Sequence, residues 1–304
     1  MTTLVLIGTG VVGERIINQA LKLGTYDIVG IFDENTARME ELAATYNLPT
    51  AASLEALLDL TPDWVYIGTP PVSHAPLTEK IAARGLHVLS EKPLAHDASD
   101  GEKMVAAVQE AGVKSAMNFP LMYGAAVQKI RDILAAQELG EVTRIELHTH
   151  FPHWPRPWQQ NPWIATREQG GFIREIFPHY LQLTNHLFGG INIIAHDTTY
   201  PKDSTRCETS VAAFAKTDAG IPVVINGMSG AAQIERIDYK IFGTKKMLSL
   251  RNWGDVLVSE ADAPEVQLEL GAEKQLLEAV ANDGFVVTFE EGLKVQQWID
   301  ELLK

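Results

Sequence analysis

The chain has 304 residues, of which 46% are apolar and 21% charged. This composition excludes a disordered or fibrous protein, and the length predicts two domains. Acidic residues outnumber basic ones by 39 to 25, and the resulting net charge of −14 disfavours nucleic-acid binding. No apolar run approaches the ~20 residues of a membrane span, so we expect neither a signal peptide nor a membrane partner. The single Cys207 excludes an internal disulfide and a cysteine-rich metal site, which suits a reducing cytoplasm.

The first part of the chain alternates short apolar runs with helical patterns. The first helical pattern, Glu14–Leu23, places Ile16, Ile17, Ala20 and Leu21 on one face. This alternation predicts a parallel sheet with right-handed crossovers, a doubly wound α/β domain over residues 1–117. The predicted strands are Leu4–Ile7, Ile28–Phe32, Trp64–Ile67, His87–Leu89 and Val113–Met117.

The pattern changes after Met117, where we place the domain boundary. Residues 118–304 read as an α+β domain in which helices precede a series of consecutive strands joined by turns, typical of an antiparallel sheet. The predicted helices are Ala125–Ala136, Arg174–Leu187, Glu273–Ala281 and Glu290–Leu303, the last of which can pack back on the first domain. The predicted strands are Val142–Phe151, Ile191–Thr199, Ser210–Ala215, Pro222–Met228, Arg236–Phe242, Lys246–Leu250 and Asp255–Ser259.

A glycine-rich turn follows the first predicted strand and opens the first helix. Its glycines are Gly8, Gly10 and Gly13, with Val11 and Val12 between them. In a Rossmann fold such glycines permit the tight turn, the approach of a pyrophosphate and close helix–strand packing. The helix N-terminus then offers free N–H groups to the phosphates, and the five residues are predicted to bind a dinucleotide.

Asp33 follows the second predicted strand, 20 residues after Gly13. A carboxylate there accepts both hydroxyls of the adenosine ribose and repels a 2′-phosphate, which favours NAD over NADP. Arg38 leaves NADP possible, since it either pairs with a 2′-phosphate or lies on a solvated helix face.

Two further segments make the interpretation specific. The third strand runs into Gly68–His74, which includes Thr69 and Pro70, and the fourth runs into Glu91-Lys92-Pro93. Together with the glycine turn, these segments resemble the glucose-fructose oxidoreductase / inositol dehydrogenase (Gfo/Idh/MocA) family over the whole chain. The resemblance implies an NAD(P)-dependent oxidoreductase acting on sugars, polyols and related hydroxy or carbonyl compounds.

The resemblance also implies an N-terminal Rossmann domain and a C-terminal domain with a large, mostly antiparallel open sheet. In the family that sheet commonly forms the oligomer interface, so we expect a homodimer or homotetramer. The family has a cis peptide bond before the proline that matches Pro93. Lys92 leaves the carboxyl end of its strand, where its ammonium can hydrogen-bond a substrate oxygen and stabilise negative charge on it.

Gly170–His179 resembles the family's glycine pair followed by an acid and a histidine. The resemblance makes His179 the general base, for which a reference pKa near 6.5 is suitable. The acid is Glu175, where relatives usually have aspartate, and it either orients the imidazole, binds a substrate hydroxyl or balances Arg174. Pro178 is expected to start or distort the helix, so the i, i+4 geometry is not assured.

Several other residues are candidates for the site. Thr69, Pro70 and Glu91 are predicted beside the cofactor, and His74 either lies there too or caps its helix. Three histidines, His148, His150 and His153, invite a metal site, but no cysteine or well-placed acid completes it, and we predict no metal. The predicted substrate-binding residues are Asn118, Tyr123, His150 and Trp163.

We therefore predict a dehydrogenase that takes a small sugar-like or polyol-like substrate. The first alternative is a catalytically silent NAD(P)-binding regulator of the same fold. A second alternative is a reductase of imines or enones, which would favour NADP and a pocket for a large planar ligand.

Overall fold

The computed structural model describes residues 1–159 and 161–304, which form two compact units. The first unit comprises Met1–Phe119 and Gln275–Leu293; the second comprises Pro120–Lys274 and Lys294–Lys304. The break after Phe119 lies two residues beyond the predicted boundary. The stretch Gln275–Leu293 lies between the two parts of the second unit in sequence but clusters with the first unit, so a single boundary does not separate the units. No helix in these two ranges is both long enough and apolar enough to cross a membrane.

The first unit is built on a five-stranded parallel sheet with the order β2-β1-β3-β4-β5. This confirms the predicted doubly wound architecture. Its strands are β1 (Thr2–Ile7), β2 (Tyr26–Phe32), β3 (Trp64–Ile67), β4 (His87–Glu91) and β5 (Ser115–Asn118). Its helices in this part of the chain are α1 (Val11–Leu23), α2 (Thr36–Tyr46), α3 (Leu54–Leu58), α4 (His74–Ala82) and α5 (Ala98–Ala111).

Apolar periodicity explains the local structure of this unit. Leu4, Val5 and Leu6 in β1 are fully buried, as a strand covered on both faces requires. Helix α1 buries Ile16, Ile17 and Ala20 of the predicted face, whereas Leu21 is 48% exposed, so the prediction was wrong for Leu21. The helix ends at a glycine in the left-handed conformation.

The returning stretch of the chain joins the first unit through specific contacts. The hydroxyl of Tyr26 donates to the carbonyl of Leu277 over 2.8 Å. The carbonyl of Val287 accepts the N–H of Met117, beside the last parallel strand. These bonds link residues far apart in sequence. The stretch contains α10 (Leu276–Ala281) and the first residues of α11 (Phe289–Leu302).

The second unit is built on an eight-stranded sheet with the order β13-β12-β11-β10-β6-β9-β8-β7. The pairs are antiparallel except for the central β6–β9 pair, which is parallel. This confirms the expected large, mostly antiparallel sheet. Its strands are β6 (Val142–Phe151), β7 (Ile191–Thr199), β8 (Ser210–Thr217), β9 (Pro222–Ser229), β10 (Arg236–Gly243), β11 (Lys246–Arg251), β12 (Asp255–Glu260) and β13 (Val266–Gln267). The helices that precede or interrupt them are α6 (Pro120–Tyr123), α7 (Ala125–Ala135), α8 (Phe172–Glu175) and α9 (Phe177–Phe188).

The two faces of this sheet differ in character. Ile145, Leu147, Thr149 and Phe151 of β6 are buried, as the alternation predicts. On this side α8 and α9 pack so closely that a Cβ atom added at Gly227 would meet the Phe172 ring at 2.6 Å. The opposite face carries the alternate residues of each strand and is partly open to solvent.

Candidate active site

The glycine turn after β1 adopts the geometry that a dinucleotide needs. Gly8 has a φ of +97°, and a Cβ there would lie 2.6 Å from the carbonyl oxygen of Gly68. A Cβ at Gly13 would overlap the carbonyl oxygen of Gly8. Gly10, by contrast, has open space around it within the described part of the chain and is the N-cap of α1. Val11 is 60% exposed and Val12 follows it at this helix N-terminus, where backbone N–H groups are available to an anion.

The carboxylate of Asp33 is held beside this turn. Its Oδ2 accepts the backbone N–H of Thr9 at 2.6 Å and the Thr9 hydroxyl at 2.8 Å, and its Oδ1 accepts the N–H of Asn35 at 2.8 Å. These bonds place the carboxylate at the end of β2, as predicted. Arg38, in the first turn of α2, also reaches the turn through its Nε, which donates to the carbonyl of Thr9. The residues at the turn therefore fit a dinucleotide.

His74 is the first residue of α4, and its ring contacts two backbone carbonyls; its position beside the cofactor stays a prediction. The side chain is completely buried, with Nδ1 3.0 Å from the carbonyl of Leu94 and Nε2 2.8 Å from that of Thr69. Burial lowers the pKa of His74, although its hydrogen bonds to backbone carbonyls oppose that shift. The ring thus joins the turn after β3, where Thr69 and Pro70 precede a short 3₁₀ segment, to the chain that follows Lys92.

The carboxyl ends of β3, β4 and β5 are joined by one buried carboxylate. Glu91 Oε1 accepts the hydroxyl of Tyr66 at 2.8 Å and the side-chain amide of Asn118 at 2.5 Å. Burial raises the pKa of Glu91, although both hydrogen bonds and nearby Lys92 oppose that rise. Asn118 is only 2% exposed. Its side-chain amide donates to Glu91, and its contact with the substrate remains a prediction.

Lys92 follows immediately after the last residue of β4. Its side chain is partly exposed, and the Lys92–Pro93 peptide bond is cis, as the resemblance implies. In sequence, Lys92 lies between two buried groups that are held by hydrogen bonds. Glu91 precedes it, and Leu94, whose carbonyl contacts His74, follows it.

In the second unit, Glu175 and His179 lie on two helices that are separated by a break. Glu175 is the last residue of α8, Ile176 interrupts the helix, and α9 begins at Phe177 with Pro178 in its first turn. The proline accounts for the break because it cannot donate an N–H and favours the first turn of a helix. The sequence anticipates this distortion.

The surroundings of His179 include a residue that the sequence analysis missed. The imidazole is 7% exposed, and its ring meets the edge of Trp253 with centroids 5.0 Å apart. Trp253 lies in the turn between β11 and β12 with a φ of +75°, in the left-handed region that bulky residues rarely adopt. An Asn-Trp-Gly triplet between two strands is a turn signal, but it does not indicate which side chain the tryptophan meets.

Glu208 is a second residue that was missed. Its Oε1 accepts the N–H of Ile173 at 2.8 Å, at the start of α8, and its carboxylate lies against Gly171. The side chain is 1% exposed, and burial raises its pKa. Through these two contacts the Glu208 carboxylate holds both the glycine pair and the start of α8, the helix that carries Glu175.

The remaining predicted substrate residues lie in three different segments of the second unit. Tyr123 is buried in α6, and Trp163 lies in a 3₁₀ segment against which Gly170 packs. His150 lies on the sheet face opposite Phe151 and contacts Gln233. The structure therefore does not bring His150 together with His179, because neighbouring residues of a strand point to opposite faces.

Two family models match the chain. One, described as an oxidoreductase family with an NAD-binding Rossmann fold (GFO_IDH_MocA), matches residues 2–119. The other, the GFO/IDH/MocA C-terminal domain, matches residues 127–249. Among the curated relatives, the dTDP-3,4-didehydro-2,6-dideoxy-alpha-D-glucose 3-reductase of Streptomyces violaceoruber is 28% identical over 174 residues. This match covers 55% of the chain and spans half the length of that relative.

Solved structures share the fold of the chain. KijD10, a 3-ketoreductase from Actinomadura kijaniata solved with NADP and TDP-benzene, has a TM-score of 0.85 at 19% identity, covering 99% of this chain and 96% of that one. The WlbA dehydrogenase from Bordetella pertussis, solved with NADH and UDP-GlcNAcA, has a TM-score of 0.84 at 20% identity, covering 99% and 94%.

Proposed function

The chain belongs to the GFO/IDH/MocA family of oxidoreductases, and we propose that it catalyses hydride transfer between NAD(P) and a sugar, polyol or related hydroxy or carbonyl compound. One observation carries the proposal. The glycine turn after β1 and Lys92 after β4 follow the carboxyl ends of two strands in the same parallel sheet. In open α/β sheets, ligands bind at this edge, so a bound dinucleotide and the lysine ammonium would share it.

The protein's part in cofactor binding follows from the turn. The N–H groups at the start of α1 would bind the pyrophosphate, with Gly10 leaving room for its approach. The Asp33 carboxylate, already oriented by Thr9, would accept the hydroxyls of the adenosine ribose. When bound, the nicotinamide supplies the hydride acceptor or donor, and the polypeptide supplies orientation and charge.

Lys92 and His179 would both act on the hydroxyl or carbonyl group of the reacting carbon. The ammonium of Lys92 would donate to the substrate oxygen and stabilise negative charge there. The imidazole of His179 would take the hydroxyl proton, and Glu175 would orient it or bind a neighbouring hydroxyl. This assignment requires the lysine and the histidine to meet at one substrate.

Substitution of Lys92 tests this assignment. A panel of sugars and polyols is screened with NAD and with NADP by following the absorbance of the reduced cofactor. With a substrate found in this way, we expect Lys92→Ala to lower turnover by about 10²–10³-fold, because one preorganised donor to the developing oxyanion is lost. Binding of NADH, measured by fluorescence titration, should be unchanged.

Lys80→Ala is the matched control, because Lys80 is an exposed lysine on α4 of the same unit. It should leave both turnover and binding unaltered. Near-normal turnover of the Lys92 variant would contradict the catalytic role. A wild-type protein that binds NADH but turns over nothing in the panel would favour the silent regulator.

We also propose that the protein is a homodimer or homotetramer in a reducing compartment such as the cytoplasm. The open face of the second sheet supports the assembly, because Phe214 on β8 and Met228 on β9 are 39% and 38% exposed there. Apolar patches on a protein surface mark interaction sites, and these two side chains lie on the same face of neighbouring strands. The buried free thiol of Cys207, whose pKa burial raises to about 12, suits a reducing compartment.

A further inference from the structure

The guanidinium of Arg38 lies beside the glycine turn and is bound by two carboxylates. Its Nη2 is 2.6 Å from Glu14 Oε2, and its Nη1 is 2.7 Å from Glu41 Oε2. Its Nε donates to the backbone carbonyl of Thr9 over 3.3 Å. Each of the three nitrogens of the guanidinium thus has an oxygen partner within the protein.

These contacts belong to a connected network. Glu14 lies in the first turn of α1, one residue after Gly13, and its Oε1 accepts the hydroxyl of Tyr46 at 2.9 Å. Tyr46 is the last residue of α2, whose first turn carries Arg38. The Glu14 and Arg38 side chains are only 32% and 28% exposed, so solvent screens this pair less than it would a fully exposed pair.

The charge at this place is negative in spite of the arginine. Asp33, Glu14 and Glu41 contribute three carboxylates against one guanidinium, which leaves two negative charges uncompensated near the ribose site proposed for Asp33. A 2′-phosphate carries about two negative charges and would be repelled there. An arginine normally receives such a phosphate through a bidentate contact, but both Nη groups of Arg38 are already engaged.

We propose that Glu14 and Glu41 are specificity-determining residues that exclude the 2′-phosphate of NADP by occupying Arg38. The ligand class selected is a dinucleotide with a free ribose 2′-hydroxyl, which is NAD. This inference rests on the proposed function and deepens it, since the Asp33 contact alone leaves open what Arg38 does. It assigns the discrimination to residues on the first and second helices, outside the glycine turn.

The test measures cofactor binding and needs no substrate. Dissociation constants for NADH and NADPH are determined by fluorescence or calorimetric titration for the wild type and for the variants Glu14→Gln, Glu41→Gln and the double variant. We expect the wild type to bind NADH about tenfold or more tightly than NADPH, and the double variant to narrow that ratio about tenfold through tighter NADPH binding. Glu40→Gln, the same charge change at an exposed position of α2, should leave the ratio unchanged.

Adding Arg38→Ala to the double variant distinguishes two effects of the carboxylates: their occupancy of the Arg38 guanidinium and their direct repulsion of the 2′-phosphate. If Glu14 and Glu41 act by occupying the guanidinium, the gain in NADPH affinity disappears with Arg38. A gain that persists without Arg38 would overturn the inference, as would equal binding of both cofactors by the wild type. Glu41 is largely exposed, so Glu41→Gln alone keeps the test valid if Glu14→Gln fails to fold. Failure of the wild type to bind either cofactor would instead contradict the proposed function.

Discussion

Gly171 lies where the backbone and a neighbouring carboxylate both require glycine. Its φ is +99°, outside the range that other residues adopt without strain. Its Cα also faces the carboxylate of Glu208 so closely that a Cβ would overlap both oxygens. The two requirements are separate, because the first concerns the backbone alone and the second concerns space.

Gly171→Ala is therefore expected to destabilise the protein more than a positive φ alone would. Gly220→Ala is the matched control, since Gly220 has a φ of +84° but open space around it among the described residues. We expect the control to lower the free energy of unfolding by about 1–2 kcal/mol and Gly171→Ala to lower it by about 3 kcal/mol or more. Denaturant titration of both variants measures the difference, and equal losses would show that Glu208 moves aside without cost.

At the scale of elements, α8 depends on a side chain from outside the helix. Its four residues are too few to form a stable helix alone, and Glu208 accepts the N–H of Ile173 in its first turn. Burial raises the pKa of the Glu208 carboxyl above its value in the unfolded chain. The hydrogen bond from Ile173 and the positive charge of Arg174 oppose that rise. The folded state thus binds the proton of this carboxyl more tightly than the unfolded chain does, and Glu208 links the stability of this segment to pH.

The sign of that linkage predicts how Glu208→Gln behaves. A carboxyl with a raised folded pKa contributes stability that is fully present below its unfolded pKa, about 4.3, and lost as the pH rises through the folded pKa. Glutamine cannot ionise, so the stability of the variant relative to the wild type should increase between pH 4.5 and pH 8. Denaturant titration across this range measures it, with Glu269→Gln, an exposed carboxyl of the same unit, as the control. A constant difference between Glu208→Gln and the wild type would contradict the linkage.

The elements themselves were largely predictable, because the period of apolar residues is local information. Both sheets, the glycine turn and the interruption of the helix near Pro178 follow from runs of a few residues. The network of Tyr66, Glu91 and Asn118 was not predictable, since it joins the ends of three strands through lateral neighbours. A buried polar residue at a strand end indicates that it has a partner but does not identify the partner.

At the scale of the whole chain, long-range pairing limited the prediction in the same way. The stretch 275–293 clusters with the first unit through bonds such as that between Tyr26 and Leu277, 251 residues apart. The ion pair between Arg38 and Glu14 likewise joins two helices through residues that are 24 positions apart in sequence. The sequence alone leaves Arg38 with two interpretations, because whether a charged side chain is free or paired depends on contacts that periodicity does not encode.

The open face of the second sheet provides the last prediction, which concerns assembly. Phe214 pairs with Val224 across β8 and β9, and Met228 lies on the same face four pairs further along. If this face joins two copies of the chain, a charge placed on it must be buried without a partner, which costs several kcal/mol. We therefore expect Phe214→Glu to convert the wild-type oligomer into a monomer. Light scattering coupled to gel filtration should then give a mass of about 33.4 kDa.

Ile234→Glu, which also adds a charge at an exposed apolar residue but lies between β9 and β10, should leave the oligomer intact. A Phe214 variant that keeps the wild-type mass would place the interface elsewhere.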